Sequence, residues 1–149
     1  MFDALFTTTT EYKKLSHALS GKGACALFGL PASGRAQVYA ALCRQLDKPL
    51  CIVTPGEAEA TRFAADLNTL GIPAAVFPAR DYVLRPIEGT AREYEYRRLA
   101  VLGELVGGRL CAVAVPAEAL TQFTTPKEDF CANTRTLHAG DTLLRDDLL

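Results

Sequence analysis

Two short, unbroken apolar runs constrain this chain more than any other feature: Leu50-Cys51-Ile52-Val53-Thr54 and Leu110-Cys111-Ala112-Val113-Ala114-Val115. Runs of this length suit strands, and the lack of polar alternation marks strands covered on both faces. Helix-patterned sequence lies between them. After Pro55-Gly56, the residues Ala60, Phe63, Ala64, Leu67 and Leu70 line one helical face, and Gly71 closes that helix. Ala74 to Phe77 reads as a further strand. A second helix, about Ala91 to Val106, turns Leu99, Leu102, Leu105 and Val106 inward and ends at Gly107-Gly108. Strand and helix alternating through short connections predict an α/β fold: a three-layer parallel sheet with helices on both faces.

A further apolar run, Ala24-Cys25-Ala26-Leu27-Phe28, is expected as the first strand of that sheet. It leads into Gly29-Leu30-Pro31-Ala32-Ser33-Gly34-Arg35-Ala36-Gln37 and then a helix carrying Val38, Ala41, Leu42 and Leu46. Strand, glycine-bounded loop and helix is the setting of the phosphate-binding loop G-x-x-x-x-G-K-[ST]. Gly29 and Gly34 hold the two glycine positions, with Ser33 between them. Arg35 replaces the lysine that reaches the β- and γ-phosphates, and its planar fork is no substitute for a compact ammonium. Ala36 replaces the hydroxyl that holds Mg²⁺ and has no oxygen to offer. Three readings stay open on the pattern alone: a relic nucleotide loop, a working anion site based on Arg35, or an ordinary strand-to-helix turn.

The 149 residues suit one domain with a piece of a second. Sixteen basic and 17 acidic residues give a formal net charge of −1, which argues against stand-alone nucleic-acid binding. The six arginines Arg80, Arg85, Arg92, Arg97, Arg98 and Arg109 are interspersed with Asp81, Glu88, Glu93, Glu95 and Glu104. They read as a solvated, salt-bridged face, with Glu93 and Arg97 an i,i+4 pair. A single-stranded nucleic-acid site there ranks last, because no regular aromatic set accompanies the arginines. The five cysteines form no C-x-x-C pair, and Cys25, Cys51 and Cys111 are expected to act as small hydrophobes inside strands. His17 and His138 have no evident metal or nucleophile partner and read as structural or surface residues. With no signal-peptide pattern and no apolar run of membrane-spanning length, a soluble cytoplasmic protein is expected.

At the amino end, Thr8 and Glu11 match a capping box ahead of Tyr12, Leu15, Ala18 and Leu19. The segment Phe77 to Pro86 reads as a loop leaving the carboxyl edge of the sheet, where ligands bind in open α/β sheets. After Pro116 a short helix is expected to Leu120, then a strand over Arg135 to His138 and a helical start at Leu143. The chain is expected to stop inside an element of a second domain. This places a degenerate P-loop α/β domain at 1–118 and the beginning of a second domain at 119–149.

The order of these segments resembles the N-terminal module of the bacterial transcription-repair coupling factors, itself similar to the excinuclease subunit UvrB. The resemblance is carried by Gly29-Leu30-Pro31-Ala32-Ser33-Gly34, Phe77-Pro78 with Asp81-Tyr82, and Arg98-Leu99 with Leu102 and Leu105. Val113 to Leu120, Pro126, and Gly140 with Leu143 continue it. Too few residues separate Glu88 from the next helix for the DNA-engaging hairpin of UvrB, which favours the coupling factors. The resemblance implies a helicase-like domain without motor function. In that family a separate C-terminal motor uses ATP and Mg²⁺, moves on duplex DNA and displaces stalled RNA polymerase, while the N-terminal module recruits UvrA and helps hold the resting protein closed. For this chain it implies no catalytic residue, no cofactor, no membrane partner and an incomplete UvrA surface. The residues agree in one respect: no strand ends in the acidic group a P-loop enzyme needs for Mg²⁺.

Overall fold

A computed structural model describes residues 7–21, 24–46, 48–80 and 93–142. Its elements run α1 (Thr10–Ser20), α2 (Ala32–Gln45), β1 (Leu50–Thr54), α3 (Glu57–Thr69), β2 (Ala74–Val76), α4 (Glu93–Val106), β3 (Ala112–Pro116), α5 (Ala117–Leu120) and α6 (Lys127–Ala132). The three strands form a parallel sheet in the order β1-β3-β2, so the last strand to appear in sequence lies in the centre. All five residues of β3 are buried, as expected for an unbroken apolar run with neighbours on both edges.

Alternate residues of β3 serve two separate cores. Ala112 and Ala114, with Ile52 of β1, pack against Ala40 and Cys43 of α2 and Ala60, Phe63, Ala64 and Leu67 of α3. Val113 and Val115 pack with Phe77, Ala79 and Ala119, and with Val101, Leu102 and Leu105 of α4. Cys51 and Val53 are in register with Val113 and Val115, yet both are exposed, because the second core includes no residue of β1. Tyr12 of α1 joins Val38, Ala41 and Leu42 of α2 in a third, smaller core.

The join between α3 and β2 is tightly specified. Gly71 has a φ of +75°, and the N–H groups of Gly71 and Ile72 donate to the carbonyls of Asn68 and Leu67. This is a Schellman closure, in which the left-handed position favours glycine. Asn68 then uses its side chain as a strand partner: Nδ2 donates to the Ala74 carbonyl, and Oδ1 accepts from the Ala74 N–H.

Several sequence expectations need correction. Residues Ala24 to Phe28 form no strand and are exposed, Phe28 by 89%. Their apolar pattern is strand-like, but they pair with none of the described strands, and β-structure depends on such a partner. Arg98, assigned to a solvated face, is buried, whereas Leu99 and Val106 are exposed. The inward stripe of α4 is Arg98, Val101, Leu102 and Leu105, one residue out of phase at its start. Leu70 likewise lies at the edge of its helical face rather than within it. The cap of α1 is Thr9 rather than Thr8, its hydroxyl accepting from the Tyr12 N–H at 3.3 Å. Cys25 and Cys51 are exposed, and the buried thiol is Cys43. Residues 135–138 form no strand, and α6, which the sequence reading overlooked, begins directly after Pro126. Asp81, Tyr82, Arg85, Glu88, Arg92, Leu143 and Leu144 lie outside the described residues.

Candidate functional site

The glycine-bounded turn sits at the start of α2. Gly29 has a φ of +77°, a left-handed conformation that lets the chain swing from the Ala24–Phe28 segment toward the helix. The helix begins at Ala32, with Pro31 as its cap residue, so the backbone at Ser33 and Gly34 is already helical. The Gly34 N–H donates to the Pro31 carbonyl at 2.9 Å and is thereby turned into the helix. A Cβ on Gly34 would stand 3.3 Å from Leu30 Cδ1, so the glycine also allows Leu30 to fold back on the first turn.

The two positions that distinguish this turn from a nucleotide loop point in different directions. Arg35 is exposed, and its guanidinium lies 3.8 Å from the Glu59 carboxylate. Glu59 belongs to the first turn of α3, directly after the carboxyl end of β1, so the first turns of α2 and α3 meet at that edge of the sheet. Ala36 is 5% exposed and packs inward. At the same edge β1 ends in Thr54, whose hydroxyl donates to the Gly56 carbonyl at 2.9 Å, and β3 ends in Pro116. Neither strand presents a carboxylate there. The cap residue of α2 makes no side-chain hydrogen bond, and its first turn contains no acid. The partial positive charge of that terminus is therefore uncompensated locally.

A second polar centre escaped the sequence reading. Arg98 is buried and donates to the carbonyls of Pro78 (2.9 Å) and Phe123 (3.3 Å), to Gln122 Oε1 (3.1 Å) and to Thr124 Oγ1 (3.0 Å). Its guanidinium carbon also sits 4.1 Å from the centroid of the Phe77 ring. Gln122 in turn accepts from the Arg80 N–H and donates to the Arg80 carbonyl. The arrangement ties α4, the segment after β2 and the segment after α5 together. A helical arginine one residue from the apolar stripe was the available signal.

Among the described residues, the other three arginines of the set from Arg80 to Arg109 behave as the charge pattern predicts. Arg80 pairs with Glu95 at 2.9 Å, Arg97 with Glu93, and Arg109 grips both carboxylate oxygens of Glu104 at 2.7 and 2.9 Å. That bidentate grip holds the Glu104 carboxyl below its ordinary pKa. Burial, reinforced by the neighbouring Cys111, pushes the Cys43 thiol up to about 11. Among the described residues no group of three or more His, Cys, Asp or Glu side chains is placed to hold a metal ion, and no helix is long and apolar enough to cross a membrane.

No protein-family model and no solved structure matches the chain. One characterised protein shows a measurable similarity: the transcription-repair-coupling factor of Bacillus subtilis (strain 168), 25% identical over 124 residues. The aligned part is 82% of this chain but only 10% of that protein, so the chain spans about a tenth of the relative's length. This distant and partial likeness points to a relation with the coupling factor.

Proposed function

We propose that this chain is a non-catalytic scaffold module in a DNA-repair role, related to the N-terminal part of the transcription-repair coupling factors. The observation that carries the reading is the similarity to the Bacillus subtilis protein, which runs through 82% of the chain. The turn at Gly29 to Ala36 supports it, since Arg35 engages Glu59 and Ala36 faces the core. On this reading residues 1–118 are a three-layer α/β unit with a degenerate P-loop, and residues 119–149 begin a second domain. The larger protein works in the cytoplasm. Its ATP- and Mg²⁺-dependent motor, its contacts with duplex DNA and its displacement of RNA polymerase reside outside this module, which contributes to UvrA recruitment and to a closed resting state.

Calorimetric titration with ATP and Mg²⁺ tests the proposal. No heat of binding is expected at micromolar nucleotide, and a clear isotherm abolished by Gly34→Val refutes the non-catalytic reading. A second reading, a phosphate- or nucleotide-binding domain using Arg35, is favoured by one feature: the uncapped, acid-free first turn of α2, a arrangement that attracts anions. Phosphate release above background by the purified chain decides for it.

A further inference from the structure

Away from the glycine turn, α1 and the second half of α2 enclose a groove of about 570 Å³, a volume in the range of small-molecule sites. Lys13, Ser16, His17 and Ser20 line it from one face of α1, and Arg44 and Gln45 face them from α2. The spacing follows from helical periodicity, which brings i, i+3, i+4 and i+7 to the same side. Ala41 keeps the α2 wall low, and Tyr12 forms part of the floor, its hydroxyl donating to Gln45 Oε1 at 2.9 Å.

Three observations point to an anion as occupant. Lys13, Arg44 and the imidazole of His17 converge on the groove, and no carboxylate is found among its described lining residues. Neither the Lys13 ammonium nor the His17 ring has a hydrogen-bond or ion-pair partner among the described residues, whereas Arg35, Arg80, Arg97 and Arg109 are each ion-paired. Ser16 is 6% exposed and lines the groove, and its hydroxyl has no hydrogen-bond partner among the described residues. Among the described residues no fully buried side-chain oxygen or nitrogen is left unpaired, so this hydroxyl is open to the groove and can donate to a ligand oxygen. Arg44 is held in place by its bond to the Leu70 carbonyl at 2.6 Å, so its guanidinium is positioned before any ligand arrives.

From this we propose that the α1–α2 groove binds a small, multiply charged oxyanion, a phosphorylated or polycarboxylated metabolite, with Lys13 and Arg44 gripping the charge and Ser16 donating from the floor. Nucleic acid is the weaker alternative, because the cations are confined to one groove and the chain as a whole carries a net −1.

The test is titration of the ¹⁵N-labelled chain with inorganic pyrophosphate and, separately, with citrate, read by amide shifts. Saturable shifts over residues 12–20 and 41–45 are expected, and the tighter of the two probes identifies the phosphate or the carboxylate class. Lys13→Gln should raise the dissociation constant about tenfold, and the effect should shrink at high salt. Ser16→Ala should raise it about fivefold without lowering the thermal midpoint, since no protein bond is lost. A Ser16→Ala variant that loses stability instead marks the hydroxyl as structural and overturns the inference. So does the absence of saturable shifts with either probe at millimolar concentration. Tighter binding of a short DNA oligonucleotide to the same amides overturns it in favour of nucleic acid. Shifts confined to residues 29–36 overturn it too, and support the Arg35 reading of the glycine turn instead.

Discussion

Replacing Arg98 by methionine removes the centre that joins three segments of the chain while keeping an unbranched apolar stem in place. The magnitude follows from the contacts. Four hydrogen bonds to neutral acceptors are lost, together with the contact to Phe77. At about 1 kcal/mol net for each bond and about 1 kcal/mol for the cation–π contact, the gross loss is about 5 kcal/mol. Against this, the variant no longer has to desolvate a buried charge, which returns about 2 kcal/mol. The expected net destabilisation of about 3 kcal/mol is large for a domain whose total stability is of order 5–15 kcal/mol. It corresponds to a fall in Tm of about 6–12 °C, measured by circular dichroism. Arg98→Lys should recover less than half of the loss, because a single ammonium cannot span acceptors on Pro78, Gln122, Phe123 and Thr124. Hydrogen exchange should show the amides of residues 121–124 losing protection before those of β3. A Tm within about 2 °C of the parent, or full rescue by lysine, refutes the view that the guanidinium fork holds these segments together.

Two further outcomes follow from the titrating groups. At about pH 8 a thiol reagent should modify the exposed Cys25 and Cys131 rapidly and Cys43 only after unfolding, as seen by mass spectrometry. Because burial raises the Cys43 pKa to about 11, its contribution to stability is complete below the ordinary thiol value of 9.0 and is lost as pH climbs toward about 11, so denaturation midpoints should fall across that window. Glu104 runs the other way: its lowered pKa stabilises the fold above the ordinary value of 4.5, and that contribution disappears as pH falls through the folded value. NMR titration should find the Glu104 carboxyl returning to its ordinary range in Arg109→Ala.

The sequence was most informative where one physical effect dominated. The unbroken apolar runs at 50–54 and 110–115 were plain as strands and both lie in the sheet, but only β3 is covered on both faces, Cys51 and Val53 of β1 being exposed. The helical face Ala60, Phe63, Ala64 and Leu67 was equally plain, since periodicity and burial coincide. It was least informative where the outcome depends on a neighbour. Ala24 to Phe28 has the composition of a core strand, but strand formation is decided by the presence of a partner edge, which composition does not encode. Arg98 reads as a surface charge because burial of an arginine depends on acceptors from residues 78 and 122–124, remote in sequence. The same holds for the α1–α2 groove: His17 and Arg44 are unremarkable singly, and only the packing of Tyr12 against α2 brings them to one opening. At the glycine turn the residue identities were legible, but the early start of α2 at Ala32 was not, since the G-x-x-x-x-G spacing is compatible with a loop or a helical turn.

That early start bears on whether side-chain changes alone could give this turn nucleotide binding. A double variant, Arg35→Lys with Ala36→Ser, rebuilds the G-K-S string of a phosphate loop. If residue identity were the whole deficit, nucleotide binding should return. The geometry predicts that it does not. Position 36 is 5% exposed and faces the core, so a serine hydroxyl there would meet side chains rather than a metal ion. Its best local partner is the carbonyl one helical turn back, and the buried polar group would cost about 1 kcal/mol. The Gly34 N–H is already committed to Pro31, and a shorter, more flexible lysine at 35 would remain within reach of Glu59. Calorimetry of the double variant with ATP and Mg²⁺ should therefore match the parent chain, with a Tm lower by about 2–4 °C. Micromolar binding by the double variant would show that the backbone of this turn still opens around a triphosphate, and that two side chains alone had silenced it.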